Sequence, residues 1–592
     1  MICTNVWRKT RRHILTTFCN SMGAGNNTAH RWTVGVLAAI TLWSCTPLFA
    51  FASDAPVFRV ETSRPNINIF EFGEPVFLHV ELSQGPSRME YLADFKVEDE
   101  KGKITQEIHG VRLSLGSARL LQLRTDKLGF YRVYGTLNDV NMISSQGSRP
   151  EGYITFAVVP KVAQRRLLSP ERSFFGLQGG YSAKIPVLPY LGVRWVLGGK
   201  GWKSIDSDRR QGQSMDATKL ARTDTFVPSV AVEKTPSTAN WKVFTLPTLY
   251  TPPAWARNVD QVAALSSSEE GGWSAYCRAA AQLNVHKYPN QTMRLYQITW
   301  EPDFPGNFSG NSAQLVKLYE LCYPEIHAID KRAVVLGPTS GIYGGDINAA
   351  LNWNRSILQA GLWRYIDGFS VHPYFSTNVK HGYSPVKGRL AEFYIALRRM
   401  ITEYSGNNMP IYSTEQGLAS DGTPLSELRQ AQGLVQANLI ALGEGLRMNM
   451  LFYLADFKKE PGFGLFYNLD SDLPFAPSHV SPKPIAAAFA AQTFLLEGYR
   501  PVGNKFHHGS IDGYSYYRGH HEIHALWSSA GLKRVIFSTS ASDYSIYDWM
   551  GNMVENNEVV GNRLTQVIGE DPKYIRMAQG AALSILSVES IP

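Results

Sequence analysis

The chain has 592 residues, 44% apolar and 18% charged, a composition that excludes a disordered polymer and leaves room for about three or four domains at roughly 150 residues each. Its net charge of +8 is concentrated at the start: residues 1–52 hold Arg8, Lys9, Arg11, Arg12 and Arg31 and no acid, and without those five cations the balance falls from +8 to +3. So small a remainder sets nucleic-acid binding aside.

The basic leader runs into an apolar segment, Trp32 onward, that closes on Ala50-Phe-Ala52. That order predicts a secretory signal over residues 1–52, cleaved after Ala52. The competing reading is an uncleaved membrane anchor, since the segment is nearly long enough to span a bilayer. A lipoprotein site at Cys45 is disfavoured by the bulky Trp43. The expected product is secreted or periplasmic, with no membrane contact beyond this signal or anchor. Cleavage would remove Cys3, Cys19 and Cys45 and leave Cys277 and Cys322, either bridged between neighbouring helices or both buried as thiols.

Residues 54–165 alternate apolar and polar in short runs such as 76–82, 129–135 and 153–159, separated by turn residues. This pattern predicts an N-terminal β-sandwich. From 172 to 498 apolar strands alternate with amphipathic helices. The strands are expected at 174–179, 193–197, 242–247, 295–301, 333–338, 366–372, 411–415 and 450–455, with helices at 272–284, 313–329, 388–404 and 426–443 between them. Eight strands, each followed by a helix, predict a (β/α)8 TIM barrel, giving a multidomain α/β chain. A doubly wound sheet would need a phosphate loop after its first strand, and Gly176-Leu-Gln-Gly-Gly180 lacks the third glycine and the helix start. Residues 499–592 return to short strands and predict a C-terminal β-sandwich.

Barrel enzymes carry their chemistry at the C-terminal ends of the strands, where the loops converge. Glu301 ends the predicted fourth strand and Glu415 the predicted seventh. Either alone would read as a helix-capping acid. Together they form the pair that glycosidic cleavage requires, one carboxyl to protonate the leaving oxygen and one to attack or stabilise the anomeric carbon.

The motifs Trp-Glu-Pro-Asp (300–303), Val-His-Pro-Tyr (371–374) and Ser-Thr-Glu-Gln-Gly (413–417) resemble those of clan A glycoside hydrolases, most like the family 39 type. Segments 191–196, 250–256, 464–470 and 482–489 are similar to other parts of that clan's barrel, and 548–552 to its accessory sandwich. The resemblance implies a retaining double-displacement hydrolase, free of cofactor, with Glu301 as acid/base and Glu415 as nucleophile. It implies that His372 and Tyr374 orient the nucleophile or bind a hydroxyl. On physical grounds Glu301 needs a raised pKa and Glu415 must stay ionised.

One departure from the clan is plain. Most members have Asn before the acid/base, gripping the sugar 2-hydroxyl; this chain has Trp300. Gln178, Asn307 and Gln416 are the candidate substitutes. Sugars also stack on aromatic rings; of Trp202, Tyr250, Trp255, Trp273, Trp300 and Tyr453, the favoured platforms are Trp202 and Trp255. The expected substrate-binding set is therefore His372, Tyr374, Trp300, Trp202, Trp255 and Gln416. Asp303 and Asp456 read as loop acids or hydroxyl ligands. His507, His508, His520, His521 and His524 lack the carboxylate spacing of a metal site, and no metal is expected. The partner is then a polysaccharide or oligosaccharide outside the cytoplasm. The alternative is a non-catalytic glycan-binding or assembly protein on the same barrel, and transglycosylation by the same residues stays open.

Overall fold

The computed structural model describes residues 57–591 except 85–89, 138–139, 142–151, 180–185, 199–200, 206–237, 239, 251, 343–344, 471–476 and 555–558. The expected signal or anchor, residues 1–52, lies outside the described residues. Asp54–Pro592 form one compact unit.

The first sheets are small and antiparallel for the most part. One holds Val57–Thr62, Val76–Gln84 and Ala118–Leu123; the other orders Ile69–Glu71, Tyr153–Val159, Gly129–Leu137, Tyr91–Asp99 and Ile104–Leu113. Tyr91–Asp99 alternates buried and more exposed residues with period two, as a strand with one packed face must. Phe58 of one sheet stacks on Phe95 of the other, ring centroids 6.0 Å apart.

Eight parallel strands follow: β1 (Phe175–Leu177), β2 (Trp195–Gly198), β3 (Phe244–Pro247), β4 (Arg294–Gln297), β5 (Ala333–Gly341), β6 (Gly368–His372), β7 (Ile411–Gln416) and β8 (Met448–Leu451). Each pairs with the next in the sequence, β8 pairs with β1, and β3 meets β4 through a parallel bridge from Thr248 to Gln297, so the sheet nearly closes into a barrel. Every residue of β7 is buried, because helices cover a parallel sheet outside and side chains fill it inside.

Two barrel helices start at capping signals carried by their sequences. Asn311 and Gln314 exchange side-chain and backbone hydrogen bonds of 2.9 Å at the start of Ser312–Ile329, a capping box. Thr423 caps Pro424–Gly443, with Pro at the first turn. Cys277 and Cys322 are joined, tying Glu270–Lys287 to Ser312–Ile329. The last barrel helix, Pro484–Leu496, is buried almost all round, since strands Gly129–Leu137 and Tyr153–Val159 of the N-terminal sheet cover its outer side.

Two further sheets close the chain. One orders Arg500–His508, Ile511–Arg518, His521–Ser528, Lys573–Ala578, Tyr544–Tyr547 and Met553–Val554; the other orders Val559–Val560, Arg563–Ile568, Lys533–Thr539 and Leu583–Ser590. The first rests on the barrel: a Cβ at Gly443 would lie 2.1 Å from the ring of Tyr514, so only glycine lets helix and sheet approach this closely.

Polar side chains buried between the N-terminal sheet and the barrel fasten the two. Arg132 Nη2 lies 3.1 Å from Glu427 Oε2, with both side chains at most 1% exposed. Tyr467 donates to the same carboxylate and lies 3.2 Å from the Tyr153 hydroxyl. Lys483 stands over the Tyr467 ring and pairs with Asp456 at 2.6 Å.

Candidate active site

Glu415 is on β7, fully inside the strand, and its carboxylate turns to the barrel mouth. Tyr374, two residues past β6, donates its hydroxyl to Glu415 Oε1 at 2.5 Å. Gln178, just past β1, donates Nε2 to Glu415 Oε2 at 2.8 Å and to the Thr414 carbonyl at 3.0 Å. Both oxygens of this buried carboxylate are thus held by neutral donors from two other strand ends.

β4 stops at Gln297, and the chain runs on through Ile298, Thr299 and Trp300 before reaching Glu301. The expected strand 295–301 is therefore too long: Glu301 has φ 42, the left-handed region that a non-glycine residue adopts in a turn and not in a strand. Its backbone is fixed there by Glu301 N donating to the Thr339 carbonyl at 2.9 Å and by Phe304 N donating to the Glu301 carbonyl at 3.0 Å. The turn aims the side chain across the mouth toward β6 and β7.

His372, the last residue of β6, lies between the two acids. Its Nδ1 is 2.8 Å from Glu301 Oε1 and 3.8 Å from Glu415 Oε2. One oxygen of each glutamate and a ring nitrogen of His372 all fall within 4.8 Å of one another. Trp300 meets the imidazole edge-on, centroids 4.8 Å apart.

Burial is the strongest electrostatic influence here. It pushes the Glu415 carboxyl up from 4.5 to about 7, assisted by the charge of Glu301 and opposed by His372, Tyr374 and Gln178. The cause is position: a strand residue 6% exposed desolvates the charge, and the hydrogen bonds offset this only in part. Burial acts to lower the His372 imidazole, but Glu415 and Glu301 outweigh it and leave the net shift upward. Burial likewise lifts Asp303 to about 7, while its Oδ2 accepts from Gly341 N at 2.9 Å. Asp303 thus anchors the end of β5, the work of a loop acid. Asp456 has the same character, held by Lys483 and by Gly464 N at 2.8 Å.

Two sequence-based site expectations, Trp202 and Gln416, need correction. Trp202 is completely buried; its ring packs against Trp255, Tyr276 and Trp273 at 5.1, 5.9 and 6.0 Å, so it offers no face to a sugar. Trp255 is half-buried and serves as the edge partner in that cluster. Gln416 follows Glu415 on a strand and so points the opposite way. Its Oε1 accepts from Asn449 at 2.8 Å, and Asn449 also donates to Asn438 of the covering helix, so Gln416 faces the helix layer. Asn307, another candidate hydroxyl donor, points Nδ2 at the Glu301 carbonyl, 3.4 Å away.

The aromatic wall lies elsewhere, in the segment after β8. Phe463 stands edge-on to Tyr374 at 6.4 Å and to Phe452 at 5.4 Å, with Tyr453 and Phe457 packed beside them. Gly179 is required next to it: its φ is +76, and a Cβ would lie 2.5 Å from the Tyr453 ring. Tyr453 was among the aromatic candidates; the phenylalanines could have been found from their density between residues 452 and 463.

No family model matches this chain, and no curated protein matches it. Solved structures similar to it include a GH30 endoxylanase from Clostridium papyrosolvens, with TM-score 0.46 and 13% identity over 69% of this chain and 97% of that one. A GH39 β-xylosidase from Caulobacter crescentus gives TM-score 0.44 and 14% identity over 70% and 98%. A glucosidase from Croceicoccus marinus gives 0.42 and 13% over 70% and 98%. These neighbours are glycoside hydrolases, and similarity at this level does not single out family 39 or any other one family for this chain.

Proposed function

We propose that this chain is a retaining glycoside hydrolase acting on a polysaccharide or oligosaccharide outside the cytoplasm, with Glu301 as acid/base and Glu415 as nucleophile. The observation that carries the reading is the approach of the two carboxylates, within 4.8 Å at their nearest oxygens, at the C-terminal mouth of the barrel. Retaining enzymes hold the pair about 5–5.5 Å apart, whereas inverting ones leave about 6.5–9.5 Å for a water.

In the first step a Glu415 oxygen attacks the anomeric carbon as the glycosidic bond breaks, and the departing oxygen takes the proton of Glu301. In the second, the Glu301 carboxylate removes a proton from water, whose oxygen displaces Glu415 and frees the sugar. Tyr374 and Gln178 support the nucleophile because their donors stabilise its ionised form against burial. His372 bridges the acids, its Nδ1 2.8 Å from Glu301 and 3.8 Å from Glu415. Within the aromatic wall the half-buried rings of Phe457 and Phe463 are suited to the C–H face of a sugar. The basic leader and Ala-x-Ala motif support export.

Trp300 in place of the amide favours a second reading, a glycan-binding protein without turnover. One experiment separates the two. Glu301→Gln and Glu415→Gln are assayed with the parent on a glycan panel and on aryl glycosides, with product configuration followed by NMR. We expect retention in the parent, a loss of about 10²–10⁴-fold in Glu301→Gln that shrinks with activated leaving groups, and no measurable turnover in Glu415→Gln. Equal activity of Glu415→Gln and parent would sink the mechanism. Saturable glycan binding by a parent that turns over nothing would support the second reading.

A further inference from the structure

We infer that Thr339 is a positioning residue for Glu301, its left-handed bulge in β5 setting where the proposed acid/base stands. What Glu301 does there rests on the hydrolase reading; how it is held does not.

β5 and β6 pair regularly as far as Pro338 with Ser370, and the next partners are Ser340 and Val371. Thr339 is therefore an extra residue in β5, a bulge left outside the ladder. Its φ is 65, in the left-handed region, where a β-branched residue is a rare and unfavourable occupant. Such a conformation persists only where the surroundings hold it. Thr339 is completely buried, and its Oγ1 lies 2.7 Å from Ser370 Oγ of β6. The next residue, Ser340, donates Oγ to Asn354 of the covering helix Ile347–Gln359 at 2.8 Å.

The bulge turns a carbonyl toward the β4 side. Leu336 accepts from Ile298 N at 3.4 Å, and Thr339 accepts from Glu301 N at 2.9 Å. Between these bonds both chains advance three residues, where a regular ladder advances two. The bulge in β5 thus matches the turn at Glu301, whose own φ is 42. Thr299 Oγ1 donates to the Pro338 carbonyl at 2.7 Å, and Asp303 Oδ2 accepts from Gly341 N at 2.9 Å. Residues 299, 301 and 303 are therefore tied to 338, 339 and 341. Gly341 pairs in register with His372, the residue 2.8 Å from the Glu301 carboxylate. A change at Thr339 reaches the acid and its imidazole neighbour together, and a misplacement of about 1 Å can cost roughly 10²-fold in rate. The competing role for a buried threonine is packing alone, and the two roles rank substitutions oppositely. Glycine accepts a positive φ without strain. Valine keeps the shape of threonine, loses the bond to Ser370 and resists the left-handed region. Packing favours valine; positioning favours glycine.

The test compares Thr339→Val, Thr339→Gly and Ser370→Ala with the parent in full-length protein. kcat/KM is measured on a glycoside with an unactivated leaving group and on its dinitrophenyl counterpart, which departs without a proton. Crystal structures of the variants locate Glu301. Circular dichroism checks folding, and Ser370→Ala, which removes only the hydroxyl partner of Thr339, covers the case in which Thr339→Val does not fold. We expect Thr339→Val to lose about 10–10²-fold on the unactivated substrate and less than about twofold on the activated one. Thr339→Gly should stand at least about tenfold above Thr339→Val on the unactivated substrate, and Ser370→Ala should lose at least about threefold there and not on the activated one. Equal losses in Thr339→Val and Thr339→Gly, or equal losses on the two substrates, overturn the inference. In the crystal, Glu301 should move away from His372 in Thr339→Val and stay in Thr339→Gly. Glu301 unmoved in Thr339→Val, or in Ser370→Ala where the valine variant does not fold, overturns the inference whatever the activity. A parent inert on every glycoside refutes the hydrolase reading, and displacement of Glu301 in Thr339→Val but not in Thr339→Gly then leaves its placement by Thr339 standing.

Discussion

Removing Arg132 should destabilise the protein in a way that depends on pH. The guanidinium belongs to the N-terminal sheet, yet its Nη2 lies 3.1 Å from the completely buried Glu427 of a barrel helix. Arg132→Met leaves that carboxylate uncompensated, a loss of about 3–5 kcal/mol for a buried pair. Lys483 also favours the Glu427 charge, so we expect the lower end, about 3 kcal/mol at pH 8. Burial already raises the Glu427 carboxyl, and losing Arg132 raises it further. A carboxyl raised in the folded state is most favourable to stability below its unfolded pKa, and that stability is lost as pH rises through the folded value. The deficit should therefore shrink as pH falls from 8 toward 5, by at most about 1.4 kcal/mol per pH unit. Urea unfolding of the parent, Arg132→Met and Arg132→Met/Glu427→Met at pH 5 and 8 measures it. The double variant should recover most of the loss, because two apolar side chains replace two charges and the Tyr467 hydroxyl keeps Tyr153 as a partner. A deficit equal at both pH values, or a double variant as unstable as the single one, would refute the reasoning.

Tyr374→Phe removes a donor to the Glu415 carboxylate, a hydrogen bond to a charge worth about 1.5–3 kcal/mol. The acidic limb of kcat/KM, expected near 7 where Glu415 ionises, should move up by about 1–2 pH units; an unmoved limb in a pH–rate series would exclude Glu415 as its source. Gly179→Ala meets both a left-handed backbone and the Tyr453 ring; it should cost at least about 1–2 kcal/mol in unfolding free energy and raise KM, and a neutral result in both would contradict the packing of the wall. Replacing Cys277 and Cys322 with Ser opens a loop of 45 residues, and thermal unfolding should register a loss of about 4 kcal/mol in the loop-entropy account. Reductant should leave the variant unaffected and lower the parent toward it.

Much of the barrel was legible because parallel strands buried on both faces read as apolar runs and their helices as amphipathic ones. All eight expected strands are present, with ends displaced by a few residues. Glu415 and Glu301 were legible by their position after such runs, and His372 and Tyr374 by the polar break after a buried strand. The failures have a common physical origin. Composition does not tell an aromatic that packs in a core from one that meets a ligand, so Trp202 read as a platform when three other rings enclose it. Gln416 failed for a different reason, since a period of two sends the neighbour of Glu415 to the opposite face. Gln178 was found as a possible donor, but its target, the Glu415 carboxylate, depends on the pairing of β1 with β8, which joins the first and last strands of the barrel. The Arg132–Glu427 contact depends on packing between regions far apart in sequence, and no local pattern announces it.

The edge contact between Trp300 and His372 ties position 300 to the imidazole between the two acids. Replacing Trp300 with asparagine would not simply add an amide. It would withdraw an indole from beside a completely buried imidazole, leaving the ring that bridges both acids room to tilt and a void that water would enter. An asparagine at 300 therefore calls for a second substitution that refills the space beside His372.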